Sequence, residues 1–237
     1  MKLLRFNSYD EYVELQTETN KQKLGNVWVS DKELAVVARY IRQHVPGAAF
    51  GICHGVRNGY EVHRLRELLG IDVIGTELSE TATEFEHVIQ WDFHEVDEAW
   101  QGRVDLIYSN SWDHSYDPAL MLDRWMSCLT PTGRCFLHWT PDHGERAVGG
   151  ADCFGASLEE LTQMAEEKYE VETVLKVKQW WGRRLSLSKN VRNVLFASPR
   201  TVRLVVIKHR TKQHAPPARI KRGQAHILGS LGALGCK

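Results

Sequence analysis

Hydrophobic positions along the chain switch repeatedly between a helical period and short runs of strand length. After Ser30, which has capping-box spacing to Glu33, apolar residues recur at helical spacing as far as Pro46. Beyond Pro46, short apolar runs are separated by turn residues and by further stretches with helical spacing. We predict seven strands in this part of the chain, at residues 48–53, 71–77, 87–92, 104–110, 134–139, 169–178 and 201–209.

The predicted elements indicate one α/β domain. Helical patterns at residues 59–69 and 157–168, and one that begins at Asp117-Pro118, lie between strands, as in a mostly parallel sheet. The last two strands have no long helix between them, so we expect an antiparallel hairpin at one edge. The predicted fold is a doubly wound, mostly parallel seven-stranded sheet with helices on both faces.

Three segments follow from these patterns. Residues 1–46 form an N-terminal helical segment, residues 47–208 form the α/β domain, and residues 209–237 form a basic tail. The tail contains prolines and several late glycines but few apolar residues, and we expect it to be disordered.

The chain carries 30 basic and 30 acidic residues, but the two kinds are unevenly distributed. Residues 208–237 hold seven of the basic residues and no acid, which leaves the preceding part with a net charge of −7. An acidic domain with a basic tail has no overall attraction for polyanions, although the tail by itself could contact phosphates.

The sequence favours a cytoplasmic protein with reduced thiols. No apolar run approaches the length of a membrane span, and the N-terminus turns polar too soon for a secretory signal. The five cysteines form no C-x-x-C pair, which argues against a disulfide framework or a zinc ribbon.

The ends of the first three predicted strands carry the pattern that an adenosine ligand requires. In FGICHGVRNGYEV, Phe50 to Val62, a strand runs into a turn with Gly55 and Gly59 and then into a helix. The second strand ends on Glu77, where a carboxylate could accept hydrogen bonds from ribose hydroxyls, and the third ends on Asp92. NAD would require G-x-G-x-x-G and ATP would require G-x-x-x-x-G-K-[ST], and the loop has neither. S-adenosylmethionine is the adenosine ligand that remains compatible with the residues at these strand ends.

The segment VDLIYSNSWDHSYDPALMLDRWMSCLTPTGRCFL resembles the fourth-to-fifth-strand region of class I S-adenosylmethionine-dependent methyltransferases. The matching features are Asp113-His114, Asp117-Pro118 and Pro131-Thr132-Gly133, and the likeness covers about residues 48–139. The strand order extends it to Lys208. The cofactor-binding residues implied by this resemblance and by the strand ends are Cys53, His54, Gly55, Arg57, Gly59, Glu77, Leu78, Asp92, Phe93, Ser109 and Asn110.

The sequence departs from the pattern of this family in the first motif. Gly51 stands where the family has an acid, Cys53 replaces the first loop glycine, and Arg57 stands where another glycine is common. The loss of the acid removes one partner for the methionine end of the cofactor. Arg57 could instead bind the cofactor carboxylate.

Each candidate residue also has a plainer interpretation. Glu77 could cap the following helix, and Asp92 could be a solvated acid. His114, Asp113 and His138 are the candidate catalytic residues, with His114 as general base, although a lone histidine is more often structural. A divalent metal held by Asp113, Asp142 and His143 has no supporting ligand spacing, so we expect no metal.

Two further regions could face a substrate. The glycine-rich stretch of residues 142–157 is long enough for a lid, with Asp152 and Phe154 directed inward, and is otherwise a surface loop. The stretch of residues 180–184 combines tryptophans with arginines, which could stack on a sugar or base and pair with an anion, or pack the hairpin.

The sequence therefore predicts an S-adenosylmethionine-dependent methyltransferase that acts on a small-molecule or carbohydrate acceptor, without membrane insertion. Three alternatives stay open at this point. They are an RNA methyltransferase that uses the basic tail, a non-catalytic cofactor-binding scaffold, and an aminopropyl transferase. The oligomeric state is not determined by the sequence.

Overall fold

The protein is described here from a computed structural model that covers residues 1–180 and 199–211. For residues 179, 180, 199 and 200 the structure describes the backbone only. The strands in the described part are β1 (Lys2–Leu3), β2 (Phe50–His54), β3 (Asp72–Glu77), β4 (Val88–Gln90), β5 (Val104–Ser109), β6 (Leu129–Trp139), β7 (Phe154–Gly155), β8 (Glu170–Trp180) and β9 (Pro199–Lys208).

Seven of these strands form one sheet in the order β4-β3-β2-β5-β6-β9-β8. The first five in this order are parallel, whereas β9 runs antiparallel to both of its neighbours. This arrangement confirms the predicted mostly parallel sheet with an antiparallel hairpin at one edge. The strand order reverses between β2 and β5, and in such sheets ligands bind at the carboxyl ends near this point.

The described residues contain five α-helices: α1 (Tyr9–Gln22), α2 (Asp31–His44), α3 (Tyr60–Leu69), α4 (Pro118–Cys128) and α5 (Leu158–Glu166). The predicted capping box at Ser30 is present, since Ser30 accepts from the Glu33 amide and Glu33 accepts from the Ser30 amide. Asp117 caps α4 by accepting from the Leu120 amide at 3.0 Å. Among the residues described, no helix is long and apolar enough to span a bilayer.

The core consists of two layers, one on each face of the sheet. Along β5, Leu106 and Tyr108 pack on the face covered by α2 and α3, whereas Ile107 packs on the face covered by α4 and α5. This alternation follows from the two-residue period of a strand, and it buries apolar side chains on both faces of a central parallel strand. Helices therefore lie on both faces, as predicted.

The N-terminal segment belongs to the same folded body. Val29, Leu34 and Val37 lie in the core layer that α2 shares with the sheet. The two-residue strand β1 pairs antiparallel with β7, which the sequence did not predict. At the other end, His209 and Arg210 still contact the domain through backbone carbonyls of Leu129, Glu166 and Tyr169. Most of the predicted tail, residues 212–237, lies outside the described residues.

Candidate functional site

A cleft opens at the carboxyl ends of β2, β3 and β4, beside the reversal in strand order. Helix α1 supplies four of its lining residues: Tyr12, Gln16, Thr19 and Asn20. The remaining lining residues are Ser111 and seven that were predicted from the sequence, namely Gly55, Arg57, Glu77, Leu78, Asp92, Phe93 and His114. The structure therefore brings residues from four strand ends together in one place.

The loop after β2 takes a shape that requires glycine. Gly55 has φ of 70° and Gly59 has φ of 73°, in the left-handed region. A Cβ at Gly55 would lie 2.6 Å from Ser111 Cβ, which is too close for any side chain. The amides of Gly55 and Val56 donate to the Thr76 carbonyl at 2.9 and 3.2 Å. The loop is thereby attached to the end of β3, next to Glu77.

Glu77 is buried at the end of β3 and holds two backbone amides. Its Oε2 accepts from the Arg57 amide at 2.8 Å and its Oε1 accepts from the Ser79 amide at 3.3 Å. Burial raises the pKa of the Glu77 carboxyl, while these hydrogen bonds oppose the shift. Glu77 thus organises the glycine loop as well as lining the cleft.

Arg57 places a cation in the wall of the cleft. The residue has φ of 49°, and its Nη1 donates to the Asn26 carbonyl at 3.4 Å. Its Nε is buried and has no hydrogen-bond partner among the described residues. Burial lowers the pKa of the guanidinium, which nevertheless stays cationic because its ordinary pKa is so high. The guanidinium would attract an anionic group in the cleft.

Asp92 lines the cleft but already has several partners. Its Oδ2 accepts from the Tyr9 hydroxyl at 2.7 Å, and its Oδ1 accepts from the His94 amide at 2.8 Å. Oδ1 also lies 2.7 Å from His94 Nδ1, and His94 Nε2 lies 2.8 Å from the Ser115 hydroxyl. Burial raises the pKa of Asp92, but these hydrogen bonds outweigh it and the net shift is downward. The carboxylate is therefore charged.

Five of the predicted cofactor residues lie outside the cleft wall. Cys53 and Gly59 lie in the strand and the loop behind it. His54 is buried with Nδ1 2.8 Å from the Thr76 hydroxyl, and burial lowers its pKa to about 3. Ser109 donates to the His54 carbonyl at 3.0 Å, and Asn110 lines a smaller pocket that shares Arg57. His54 and Ser109 thus bond to the strand ends that precede the cleft loops.

Of the three candidate catalytic residues, only His114 lines the cleft. His114 Nδ1 lies 2.8 Å from Gln16 Oε1, and burial lowers the pKa of the ring to about 3. His138 is buried on β6, with Nε2 3.7 Å from Glu33 Oε1. Asp113 is buried, which raises its pKa to about 7, and Oδ2 lies 3.9 Å from His143 Nε2. The structure does not test the general-base role of His114, which stays a prediction.

The residues that α1 contributes were not found from the sequence. Gln16 and Asn20 are buried polar side chains, so the inward face of α1 lacks the apolar stripe that reveals an amphipathic helix. Asn20 Oδ1 accepts from the Thr81 hydroxyl at 3.0 Å, and Gln16 Nε2 donates to the Ala151 carbonyl at 2.8 Å. Their burial and their side-chain hydrogen bonds across the fold show that they face inward.

The glycine-rich stretch after β6 packs closely against the domain. Phe154 is buried with its ring 5.6 Å from that of Trp112, so it does not face the cleft. Asp152 Oδ1 lies 3.4 Å from His114 Nε2, next to the cleft. Of the predicted Trp180–Arg184 region, residues 181–184 lie outside the described residues and the Trp180 side chain is not described.

Comparison with known proteins supports the fold. Neither protein-family models nor curated protein sequences match this chain. Among solved structures, the Burkholderia thailandensis 1,6-didemethyltoxoflavin-N1-methyltransferase with bound 1,6-didemethyltoxoflavin and S-adenosylhomocysteine matches with a TM-score of 0.60 and 15% identity. That match covers 87% of this chain and 92% of that one.

Two other structures match at similar levels. Geranyl diphosphate C-methyltransferase from Streptomyces coelicolor, solved with Mg²⁺, geranyl diphosphate and S-adenosylhomocysteine, has a TM-score of 0.57 and 16% identity, over 85% of this chain and 100% of that one. A putative methyltransferase in complex with the Haloferax volcanii Trm112 activator has a TM-score of 0.57 and 14% identity, over 86% and 100%. The chain has the fold of class I S-adenosylmethionine-dependent methyltransferases, and the resemblance noted in the sequence is confirmed at this level.

Proposed function

We propose that the protein binds S-adenosylmethionine in the cleft and transfers its methyl group to a small-molecule acceptor. The proposal rests on one observation, which is that Glu77 and Arg57 line the same cleft. A carboxylate that can accept from hydroxyl groups lies beside a guanidinium whose Nε is buried without a partner among the described residues. A ligand with a ribose at one end and a carboxylate at the other matches both groups.

The residues present fit this cofactor despite the altered first motif. Glu77 and Asp92 would hold its nucleoside part, and the guanidinium of Arg57 would hold its carboxylate. When bound, the cofactor supplies an electrophilic methyl carbon on a sulfonium. The protein then has to orient the acceptor and exclude water. Residues of α1 that cover the cleft, such as Gln16 and Asn20, serve the second purpose.

The covered cleft favours a small acceptor over a polymer. Gln16 and Asn20 are both more than 90% buried, so α1 is packed against the site rather than held away from it. A polynucleotide could reach the cleft only if α1 moved. The tryptophan and arginine side chains of residues 180–184, which suggested a carbohydrate, are not among those described. Carbohydrate therefore remains one class of small molecule to be tested.

The cofactor proposal can be tested with two ligands that share the nucleoside. We would titrate S-adenosylhomocysteine and 5′-methylthioadenosine, which lacks the amino-acid end, into the parent protein and Arg57→Met by calorimetry. We expect Arg57→Met to weaken S-adenosylhomocysteine at least 10-fold, a loss typical of a hydrogen bond to a charged group, and to leave 5′-methylthioadenosine unchanged. Equal affinities of parent and variant for S-adenosylhomocysteine would remove Arg57 from the site.

One further titration and a labelling experiment separate the alternatives. Tighter binding of decarboxylated S-adenosylmethionine than of the intact cofactor would favour an aminopropyl transferase. Incubation with labelled S-adenosylmethionine and cell extract should then place label in the small-molecule fraction. Label in RNA that disappears at high salt would support the RNA alternative, because phosphate contacts weaken with salt. Tight binding without label in any fraction would support a non-catalytic protein.

A further inference from the structure

Three ionisable side chains from two distant segments meet beside the cleft. They are Asp113, His114 and Asp152, and their ligand-capable atoms all lie within 4.8 Å of one another. His114 Nε2 lies 3.4 Å from Asp152 Oδ1. Bonds of about 2.0–2.6 Å around a single ion put neighbouring ligand atoms roughly 3–3.7 Å apart and opposite ones roughly 4–5 Å apart. The observed separations therefore suit ligands of one ion.

The hydrogen bonds of Gln16 determine which nitrogen of His114 carries a proton. Gln16 Nε2 donates to the Ala151 carbonyl at 2.8 Å, so the amide oxygen is the atom that faces His114 Nδ1, also at 2.8 Å. An amide oxygen only accepts, and Nδ1 must therefore be the donor. In the neutral ring, Nε2 then presents its lone pair towards Asp152. Metal-ligating histidines are usually oriented in this way, by donating their other N–H to an oxygen.

Asp113 supplies the second, independent observation. Its side chain is more than 90% buried, and Oδ1 has no hydrogen-bond partner among the described residues. A buried carboxylate oxygen without a partner is costly, and so is a nitrogen lone pair that faces a carboxylate. Lys23 and His143 influence both acids electrostatically, and His143 Nε2 lies 3.9 Å from Asp113 Oδ2, the other oxygen of that carboxyl group. A cation within the cluster would relieve both costs.

We propose that Asp113, His114 and Asp152 bind one divalent transition-metal ion of the Zn²⁺ or Mn²⁺ type. An imidazole combined with two carboxylates is a donor set for such ions, whereas Mg²⁺ and Ca²⁺ prefer oxygen alone. Three protein ligands leave positions for water or for another molecule. The ion site does not depend on the proposed methyl transfer, and only a role of the ion in binding the acceptor would rest on it. As a ligand, His114 would be a poor general base.

The test measures metal binding by the full chain without an affinity tag. The protein would be freed of metal with a chelator and titrated separately with Zn²⁺, Mn²⁺ and Mg²⁺ by calorimetry, with the bound metal counted by elemental mass spectrometry. We expect one Zn²⁺ or Mn²⁺ per chain, weaker Mg²⁺ binding, and a higher Tm in the presence of the bound ion. Asp152→Asn and His114→Ala should each weaken binding at least 10-fold.

Two further variants make the result specific. Asp10→Asn removes an exposed carboxylate from the first turn of α1 and should bind metal like the parent. Asp152→His should keep Zn²⁺ and lose Mn²⁺, because it exchanges a hard ligand for an imidazole. Asp152 is partly exposed, so its variants should fold, and circular dichroism would check this. Folded parent protein that binds neither ion, or equal stoichiometry in an Asp152→Asn/His114→Ala double variant, would overturn the proposal. Titration of S-adenosylhomocysteine on the same samples reports separately on the proposed function.

Discussion

The loops after β2, β3 and β4 and the loops after β5 and β6 lie at the same edge of the sheet, but their charged groups are satisfied differently. We call residues 55–58, 77–79 and 91–94 the early loops, and residues 109–115 and 140–155 the late loops. In the early loops, Glu77 and Asp92 accept hydrogen bonds from nearby backbone amides. In the late loops, Asp113 and His114 face Asp152, and Asp113 Oδ1 has no partner among the described residues.

This difference separates two ways of building a site. In the early loops the two carboxylates accept hydrogen bonds from backbone amides, so these acceptors are already in position for a neutral, hydroxyl-bearing ligand. The late loops bring together ionisable side chains that are far apart in sequence, and Asp113 Oδ1 among them has no hydrogen-bond partner in the described residues. The first arrangement suits nucleoside binding, and the second suits a cation. The predictions below test whether the two regions are as independent as this comparison implies.

The largest effect is expected at Trp125, which joins α4 to the early loops. This side chain lies on α4, yet its Nε1 donates to the Phe93 carbonyl at 2.8 Å and its ring stacks on His54 with centroids 4.5 Å apart. Trp125→Ala should destabilise the protein by about 3–5 kcal/mol, as is usual for a buried tryptophan. Chemical denaturation would measure this. Trp28→Ala, at a position that is 45% exposed, should change stability by about 0.5 kcal/mol or less. If both variants lost similar stability, the contacts of Trp125 with Phe93 and His54 would not matter for the stability of the fold.

The early loops can be tested alone by a matched pair of glycines. Gly55 and Gly70 have φ of 70° and 69°, but only at Gly55 would a Cβ meet a neighbour, Ser111. Gly70→Ala should cost about 1–2 kcal/mol for the left-handed backbone alone. Gly55→Ala should cost about 2–4 kcal/mol, because crowding adds to the same strain, and it should also weaken S-adenosylhomocysteine. If both variants lost the same stability and kept their affinity, the shape of the loop would not matter for binding.

The ion-pair network around Glu172 shows that charged side chains far apart in sequence can also be fully paired. Glu172 accepts from Arg134 Nη2 at 2.9 Å and from the Tyr40 hydroxyl at 2.8 Å, and it lies 3.2 Å from Lys208. Burial raises its pKa, but these partners outweigh burial and hold the pKa at about 2. Glu172→Gln should therefore lose about 1–3 kcal/mol of stability at pH 7.

The pH dependence of this loss has a definite sign. A depressed carboxyl pKa stabilises the folded state above the ordinary value of 4.5, and the stabilisation disappears as the pH falls from 4.5 towards 2. The stability difference between parent and Glu172→Gln should shrink over that window. Denaturation at pH 7, 5 and 3 would measure it, with the exposed Glu166→Gln as control. A difference that stays constant with pH would show that Glu172 acts through packing rather than charge.

The smallest effect is expected from removal of the basic tail. A chain that ends at Thr211 keeps the contacts of His209 and Arg210 with the domain. We expect its Tm and its affinity for S-adenosylhomocysteine to equal those of the full chain, since the removed residues carry little apolar surface. Any RNA retained by the full chain at low salt should be lost with the tail. A clear drop in Tm would contradict the predicted disorder over residues 212–237, the part of the tail that this truncation removes.

Much of the early loops could be predicted because the residues that identify them directly follow strands in the sequence. Gly55, Glu77 and Asp92 each follow directly after a strand, and parallel strands bring such positions to one edge. The sheet itself was predictable from periodicity, including the edge hairpin. The strand boundaries were less exact: β4 ends at Gln90 rather than Asp92, because Trp91 and Asp92 already turn into the loop.

The amino-acid sequence by itself therefore determined the fold class, the order of elements and the strand-end residues of the early loops. The tertiary structure alone decided that α1 covers the cleft, that His138 is buried against Glu33, and that Asp152 meets Asp113 and His114. These placements depend on hydrogen bonds and packing between residues that lie from 38 to more than 100 positions apart. No periodicity records such pairings, because a buried polar side chain such as Gln16 has the same sequence signature as an exposed one.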